Sequence, residues 1–223
     1  MRDRVKEQFE LAAASYDEQR RGLIPCYDDF YGSAMYAAWT DASEPRILEL
    51  GAGTGLLSGM FRRKYLQANL TLMDFSSSML AKAEQRFLDD VKVQLVEGDM
   101  TQMLPEGEYD LIVSSLAIHH LTHENKKKLF RRIRQNLAAG GRFVNADQAA
   151  AESPLFDELY RQQWLKEIYD GRVSKEAADA SVRRRAEDIN AKASEQLKWM
   201  REAGFSHADC VYKFREFTVF CAM

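Results

Sequence analysis

At 223 residues with 46% hydrophobic content, the chain is sized for one domain with an elaboration and can supply a full core. A formal net charge of −3 and a pI near 5.9 exclude a broad electrostatic pull toward nucleic acid or an anionic membrane. No apolar run approaches the roughly 18 residues of a membrane span, and the first helical stretch begins with charged residues, not a secretory leader. Three cysteines (Cys26, Cys210, Cys221), odd in number and matching no metal spacing, fit a reducing compartment. The expectation is a soluble cytoplasmic protein that acts on a small molecule, with a homodimer left open.

In chain order, residues 2–14 and about 25–39 read as two helices. Ile47 to Leu50 is an apolar strand that runs into Gly51-Ala52-Gly53-Thr54-Gly55 and then a helix of about 54–64. Asn69 to Asp74 is a second strand. A helix of 76–89 follows, which Ser76 to Ser78 can cap. Val91 to Gly98 is a third strand. Tyr109 to Ser115 is a fourth, apolar almost throughout and so buried on both faces. A helix of 122–138 opens on Thr122 and stops at Gly140-Gly141, and Arg142 to Asp147 is strand five. The stretch of about 150–190 is too long for a simple connection. Its pattern is helical, with Pro154 at the start and then Leu155, Phe156, Leu159, Tyr160, Trp164, Leu165 and Ile168 at helical spacing. Helix 193–203 stops at Gly204, and Ala208 to Lys213 with Glu216 to Ala222 read as a hairpin. The basic clusters Arg62-Arg63-Lys64 and Arg183-Arg184-Arg185 sit on helical patterns and read as solvated faces.

The alternation of strands and helices predicts an α/β, Rossmann-like, doubly wound sheet of about seven strands. The parts of this one domain are a helical cap (1–44), a core (45–148), a helical lid insertion (149–192) and a last helix with hairpin (193–223).

The stretch Glu49-Leu50-Gly51-Ala52-Gly53-Thr54-Gly55 lets the backbone turn sharply and approach a ligand closely, and the following helix offers its free N–H groups to an anion. The dinucleotide fingerprint needs a small residue where Leu56 stands, which disfavours a nicotinamide cofactor. The pattern instead resembles the first motif of the class I S-adenosylmethionine (SAM)-dependent methyltransferases. The acid after strand two (Asp74) and the pair Gly98-Asp99 come at family-like intervals from it. The resemblance implies that the last strand is antiparallel and fills the sheet beside strand five. It further implies that Glu49, Gly51, Ala52, Gly53 and Gly55 cradle the methionine end of SAM. Asp74 would then hold the ribose and Asp99 the adenine amino group, with Met100 against the ring and Phe75, Met79 and Ser115 completing the shell. In small-molecule members a Tyr-Asp pair like Tyr16-Asp17 closes over the cofactor. Tyr16 and Arg20 are therefore candidates for its carboxylate, against the simpler reading of a helix break held by Asp17.

Chemistry is expected at the carboxyl ends of strands four and five, where His119, His120 and His123 lie near Asp147 in the strand order. Methyl transfer has a neutral thioether leaving group, so the protein supplies alignment, plus a base only where the nucleophile holds a proton. His119 and His120 are the candidate catalytic residues. A structural role stays open for them, as does a metal role together with Asp147, although no metal is expected. Substrate contacts are sought in Tyr27, Tyr31, Asp147, Tyr160 and Trp164, and also in Phe30 and Arg161. The resemblance extends to stand-alone bacterial and archaeal proteins similar to carboxy-SAM synthases and tRNA wobble-uridine methyltransferases. Nothing in the chain marks an arginine for a carboxy group, and the acidic pI argues against tRNA. A non-catalytic SAM-binding subunit is the remaining alternative.

Overall fold

The computed structural model describes residues 16–223. The helix expected over 2–14 lies outside the described residues. Seven strands form one sheet in the order β3-β2-β1-β4-β5-β7-β6. They are β1 (Arg46–Leu50), β2 (Asn69–Asp74), β3 (Val93–Glu97), β4 (Tyr109–Ser115), β5 (Leu137–Gln148), β6 (Ala208–Phe214) and β7 (Phe217–Ala222). The first five are parallel, and β7 runs antiparallel between β5 and β6. The expected doubly wound sheet is thus present, with the late hairpin placing β7 beside β5.

The helices are α1 (Tyr16–Leu23), α2 (Tyr27–Ala37), α3 (Leu56–Lys64), α4 (Ser77–Arg86), α5 (His123–Asn136), α6 (Pro154–Glu167), α7 (Lys175–Arg185) and α8 (Ala193–Glu202). Side chains alternate across β1, so Ile47 joins one core and Leu48 and Leu50 the other. Phe30 of α2, Phe61 of α3 and Trp164 of α6 pack on the first face, and Leu129 and Phe130 of α5 with Met200 of α8 pack on the second. Strand order reverses between β1 and β4, the switch point at which open α/β sheets bind ligands beyond their carboxyl ends. Among the described residues no helix is long and apolar enough to cross a membrane.

Three local readings differ from the sequence expectation. Residues 16–23 form their own helix, α1, which ends before Pro25, a residue with no N–H to continue it. Helix α5 ends at Asn136, and Gly140-Gly141 lie inside β5, not at a helix end. A Cβ on Gly141 would come 2.9 Å from the Tyr109 carbonyl oxygen of β4, so glycine is needed there for strand pairing across an irregular register. Finally, the apolar stripe of α6 is only half packed. Trp164 and Ile168 are buried, whereas Leu155, Phe156 and Leu159 are exposed. The predicted caps do hold: Ser76 Oγ accepts from the Met79 N–H, and Thr122 Oγ1 from the Asn125 N–H, each worth about 1 kcal/mol.

Candidate active site

The glycine loop leaves β1 with Gly51 at φ +67° and Gly53 at φ +56°. A Cβ on Gly51 would sit 2.3 Å from Ala117 Cβ and 3.2 Å from Met100 Cε, so this turn presses on the β4 exit and on Met100. On Gly53 it would meet nothing within 4 Å, which leaves room for a ligand to approach the backbone. Gly51, Ala52 and Gly53 line a cavity with Glu49, Thr54, Ser115, Tyr31 and Arg20. Ser115 Oγ donates to the Tyr31 hydroxyl at 3.1 Å. Gly55 is absent from this lining and packs toward Phe87 and Leu72.

Two buried acids brace the loop. Asp74 accepts the Gly53 N–H at 2.8 Å and the Ser76 N–H at 2.9 Å, and burial raises its pKa. Glu49 accepts the Ser58 N–H at 2.9 Å and the Ser58 hydroxyl. Burial pushes Glu49 up to about 8, against the Ser58 bonds, with Asp74 adding to the rise. A cation placed beside Glu49 would draw it back toward ionisation. Strands β2 and β3 pair Asp74 with Glu97, so Phe75 and Asp99 leave neighbouring strands at the same edge. Asp99 accepts the Thr101 N–H at 2.8 Å, and Met79 and Met100 are buried. The Tyr16 side chain lies outside the described residues. Its neighbour Asp17 is tied to the loop, accepting from the Thr54 hydroxyl at 2.6 Å and pairing with Arg86.

A second, narrow pocket adjoins this cavity, and Arg20 lines both. Its floor comes from the β4 exit, where Leu116 adopts φ +49°, a backbone strain typical of ligand sites. His119 and His120 follow on a 3-10 turn (Ile118–His120). His119 Nδ1 is 2.5 Å from Asp147 Oδ1, and Nε2 is 3.4 Å from Asp188 Oδ1. Burial opposes its charge, but Asp188 and Asp147 outweigh this and raise His119 to about 9. His120 Nδ1 lies 3.1 Å from the same Asp188 oxygen. Burial and the neighbouring His119 charge lower the His120 pKa, so its ring is neutral at neutral pH. Asp188, though buried, is held well below the carboxylate range by His119 and His120. Lys126 Nζ ties the β4 exit to the insertion through the carbonyls of His119 (3.2 Å), Leu121 and Ile189 (2.5 Å), and burial lowers it to about 8.

Ligand-capable atoms of His119, His120 and Asp188 fall within 4.8 Å of one another, a spacing a metal could use. Both nitrogens of His119 face carboxylates, which raise its pKa to about 9 against the effect of burial. As it stands, the cluster places His119 between two acids, with His120 on the same Asp188 oxygen.

Of the sequence candidates, Trp164, His119 and His120 reach this pocket, and Asp147 lies directly beneath it. Tyr31 belongs to the glycine-loop cavity. Tyr27 stacks on Tyr31 and under Arg21, in a separate surface pocket. Tyr160 packs on Phe156, Arg161 pairs with Glu158 on the exposed side of α6, and Phe30 is core. Gln148, Arg184, Arg185 and Asp188 line the pocket without having been singled out. The arginine run was visible in the sequence but pointed to no site, and Asp188 carried no local signal.

The family model described as "Methyltransferase domain" matches residues 47–141. The chain is 31% identical over 159 residues to an uncharacterized methyltransferase of Geobacillus sp. (strain WCH70), covering 70% of each chain. It is 34% identical over 138 residues to a malonyl-[acyl-carrier protein] O-methyltransferase of Priestia megaterium, covering 58% of this chain and 47% of that one. Among solved structures, the DhpI–SAH complex superposes with a TM-score of 0.67 at 18% identity, covering 98% of this chain and 94% of that one. The chain belongs to the class I SAM-dependent methyltransferases.

Proposed function

We propose that the protein transfers a methyl group from SAM to a small-molecule acceptor seated in the pocket over His119 and His120. The observation that carries this reading is the junction of that pocket with the glycine-loop cavity at Arg20. When bound, SAM supplies an activated methyl group whose displacement leaves a neutral thioether. Gly51, Ala52 and Gly53 hold its methionine end, Arg20 supplies a charge-assisted bond to the carboxylate, and Glu49 faces the cationic part. Asp74 accepts from the ribose hydroxyls through its remaining lone pairs, and Asp99 and Met100 take the adenine, with Phe75, Met79 and Ser115 around them.

His120 is the base in this reading. With Asp188 beside Nδ1 and burial keeping the ring neutral, Nε2 is left as the nitrogen that takes the acceptor's proton. His119, locked by Asp147 and Asp188, positions that pair. The three cysteines are all free, which suits a reducing, cytoplasmic setting.

Calorimetric titration with SAM, S-adenosylhomocysteine (SAH) and NADH tests the cofactor assignment. Micromolar binding of the first two and none of NADH is expected, and binding of NADH alone would overturn it.

A further inference from the structure

His119, His120 and Asp188 bring two ring nitrogens and a carboxylate to one point on the pocket wall. The two histidines are consecutive on the 3-10 turn, and they reach that point with different atoms. His119 offers Nε2, 3.4 Å from Asp188 Oδ1, and His120 offers Nδ1, 3.1 Å from the same oxygen. Around a zinc ion with bonds of about 2.0–2.2 Å, neighbouring ligand atoms of a tetrahedron stand about 3.3–3.6 Å apart. Both observed edges lie close to that spacing.

Two features separate this group from a chance meeting of polar side chains. The first is Asp188 itself. Its Oδ1 is buried and makes no hydrogen bond, while Oδ2 accepts from the Gln148 amide at 3.3 Å. A buried carboxylate oxygen in this state rewards a cation placed between it and the rings. The second is the support behind the ligands. His119 turns its other nitrogen, Nδ1, to Asp147 Oδ1 at 2.5 Å, the carboxylate–histidine pairing that fixes tautomer and ring orientation in metal sites. Asp147 Oδ1 also accepts the Gln148 N–H at 2.9 Å. The backbone holds the two segments together, because the Ile189 N–H donates to the His119 carbonyl at 3.0 Å. Lys126 Nζ bonds the carbonyls of both residues.

We propose that His119 Nε2, His120 Nδ1 and Asp188 Oδ1 form a binding site for a divalent transition-metal ion of the zinc class. Imidazole nitrogens select such ions over magnesium and calcium, which prefer oxygen. Loading exchanges a proton for the cation: His119 gives up Nε2–H and keeps Nδ1–H on Asp147. His120 is called on for Nδ1 alone, the nitrogen that already faces Asp188. The site goes beyond the methyl-transfer reading and does not depend on it. The base role of His120 belongs to the metal-free protein, since a metal on Nδ1 keeps the ring's one proton on Nε2. In that reading, loading withdraws the base.

The test uses the untagged full-length protein, freed of metal by dialysis against a chelator, then titrated with zinc chloride and with magnesium chloride by calorimetry. One zinc per chain should bind with a Kd of about 1 μM or tighter, and magnesium at least a hundredfold more weakly. Histidine-ring ¹H–¹⁵N spectra of the wild type locate the ion. Nε2 of His119 and Nδ1 of His120 should shift on loading, with His207 unmoved. Asp188→Asn and His120→Ala should each weaken zinc at least tenfold, whereas His207→Ala, on the exposed loop before β6, should change it less than twofold. Asp147→Asn leaves the three ligands in place and should weaken zinc by about 10–100-fold. If no zinc binds, if magnesium matches it, or if the shifts fall on His123 or His207 instead, the inference is wrong. It is equally wrong if folded Asp188→Asn binds zinc as the wild type does. A parallel SAH titration reports on the cofactor assignment separately, so that either reading can fail without the other.

Discussion

Along the carboxyl edge of the sheet, the half around β1 and β2 offers mainly backbone to a ligand, and the half around β4 and β5 offers mainly side chains. On the first side, Gly51 to Gly53 expose main-chain atoms, and the buried acids Glu49 and Asp74 brace that turn from behind. On the second, a proton-holding His119, a neutral His120 and two arginines converge from β4, α7 and the loop after it. The backbone half suits a ligand of fixed shape such as a cofactor. On the proposed reading, the side-chain half carries acceptor choice and can be retuned by single substitutions while the glycine-loop half is left alone.

The sharpest way to separate the halves is His120→Ala. Loss of the base should lower kcat by about 10²–10⁴-fold for an acceptor that must lose a proton. SAH affinity, read by calorimetry, should stay within twofold. A large loss of SAH affinity would show that the two halves are not separable.

His119 makes the second contrast, through stability. Its pKa is raised from 6.5 to about 9, so the folded state holds its proton more tightly than the unfolded chain. The resulting stabilisation is complete below pH 6.5 and is lost as pH rises through about 9. The difference in urea-unfolding free energy between wild type and His119→Gln should therefore shrink over that window, by on the order of 3 kcal/mol. A gap that stays constant with pH would mean the ring is neutral throughout.

What could be foreseen from the chain divides along the same line. The cofactor half is written in adjacent residues, because a tight turn requires glycine at fixed spacing and strand ends put acids at fixed intervals. The strands themselves were legible for similar reasons, whereas the position of β7 beside β5 came from the family resemblance and not from any local pattern. The acceptor half depends on contacts between residues far apart in sequence. Asp188 reaches His119 from the loop after α7, and Arg185 finds its partner in Glu216 at the last hairpin. No local pattern marks such pairs. The helical stripe of the insertion pointed to Trp164, which lines the pocket, and equally to Tyr160, which packs on Phe156 instead, since periodicity cannot tell which part of an amphipathic face has a partner. Gly140-Gly141 misled for a related reason: a glycine pair marks a helix end or a close strand approach equally well.

Asp74 tests the backbone half alone. Asp74→Ala should weaken SAM binding by about 1–3 kcal/mol, the cost of losing hydrogen bonds to a charged group. Asp74→Asn, which keeps an acceptor oxygen for the Gly53 or Ser76 N–H, should cost less. Calorimetry distinguishes the two, and unchanged affinity in the alanine variant would break the ribose assignment.

The smallest expected effect asks what joins the halves. Helix α1 carries Arg20, which lines both cavities, and α1 is anchored to the cofactor half by Asp17 on Thr54 and Arg86. It is anchored to the acceptor half by the Leu23 carbonyl on Trp164. The Asp17–Arg86 pair is partly solvent-exposed, at 36% and 30% side-chain accessibility, so screening limits it to the range of surface ion pairs, about 0.2–1 kcal/mol. Asp17→Asn keeps an oxygen for the Thr54 hydroxyl but drops the charge. If α1 acts as one strap across both sites, loosening it should weaken SAH and the acceptor together, by up to about fivefold each. Weakening of SAH alone would mean that Asp17 only steadies the glycine loop. No change in either would leave the Trp164 tie as the contact that sets the position of α1.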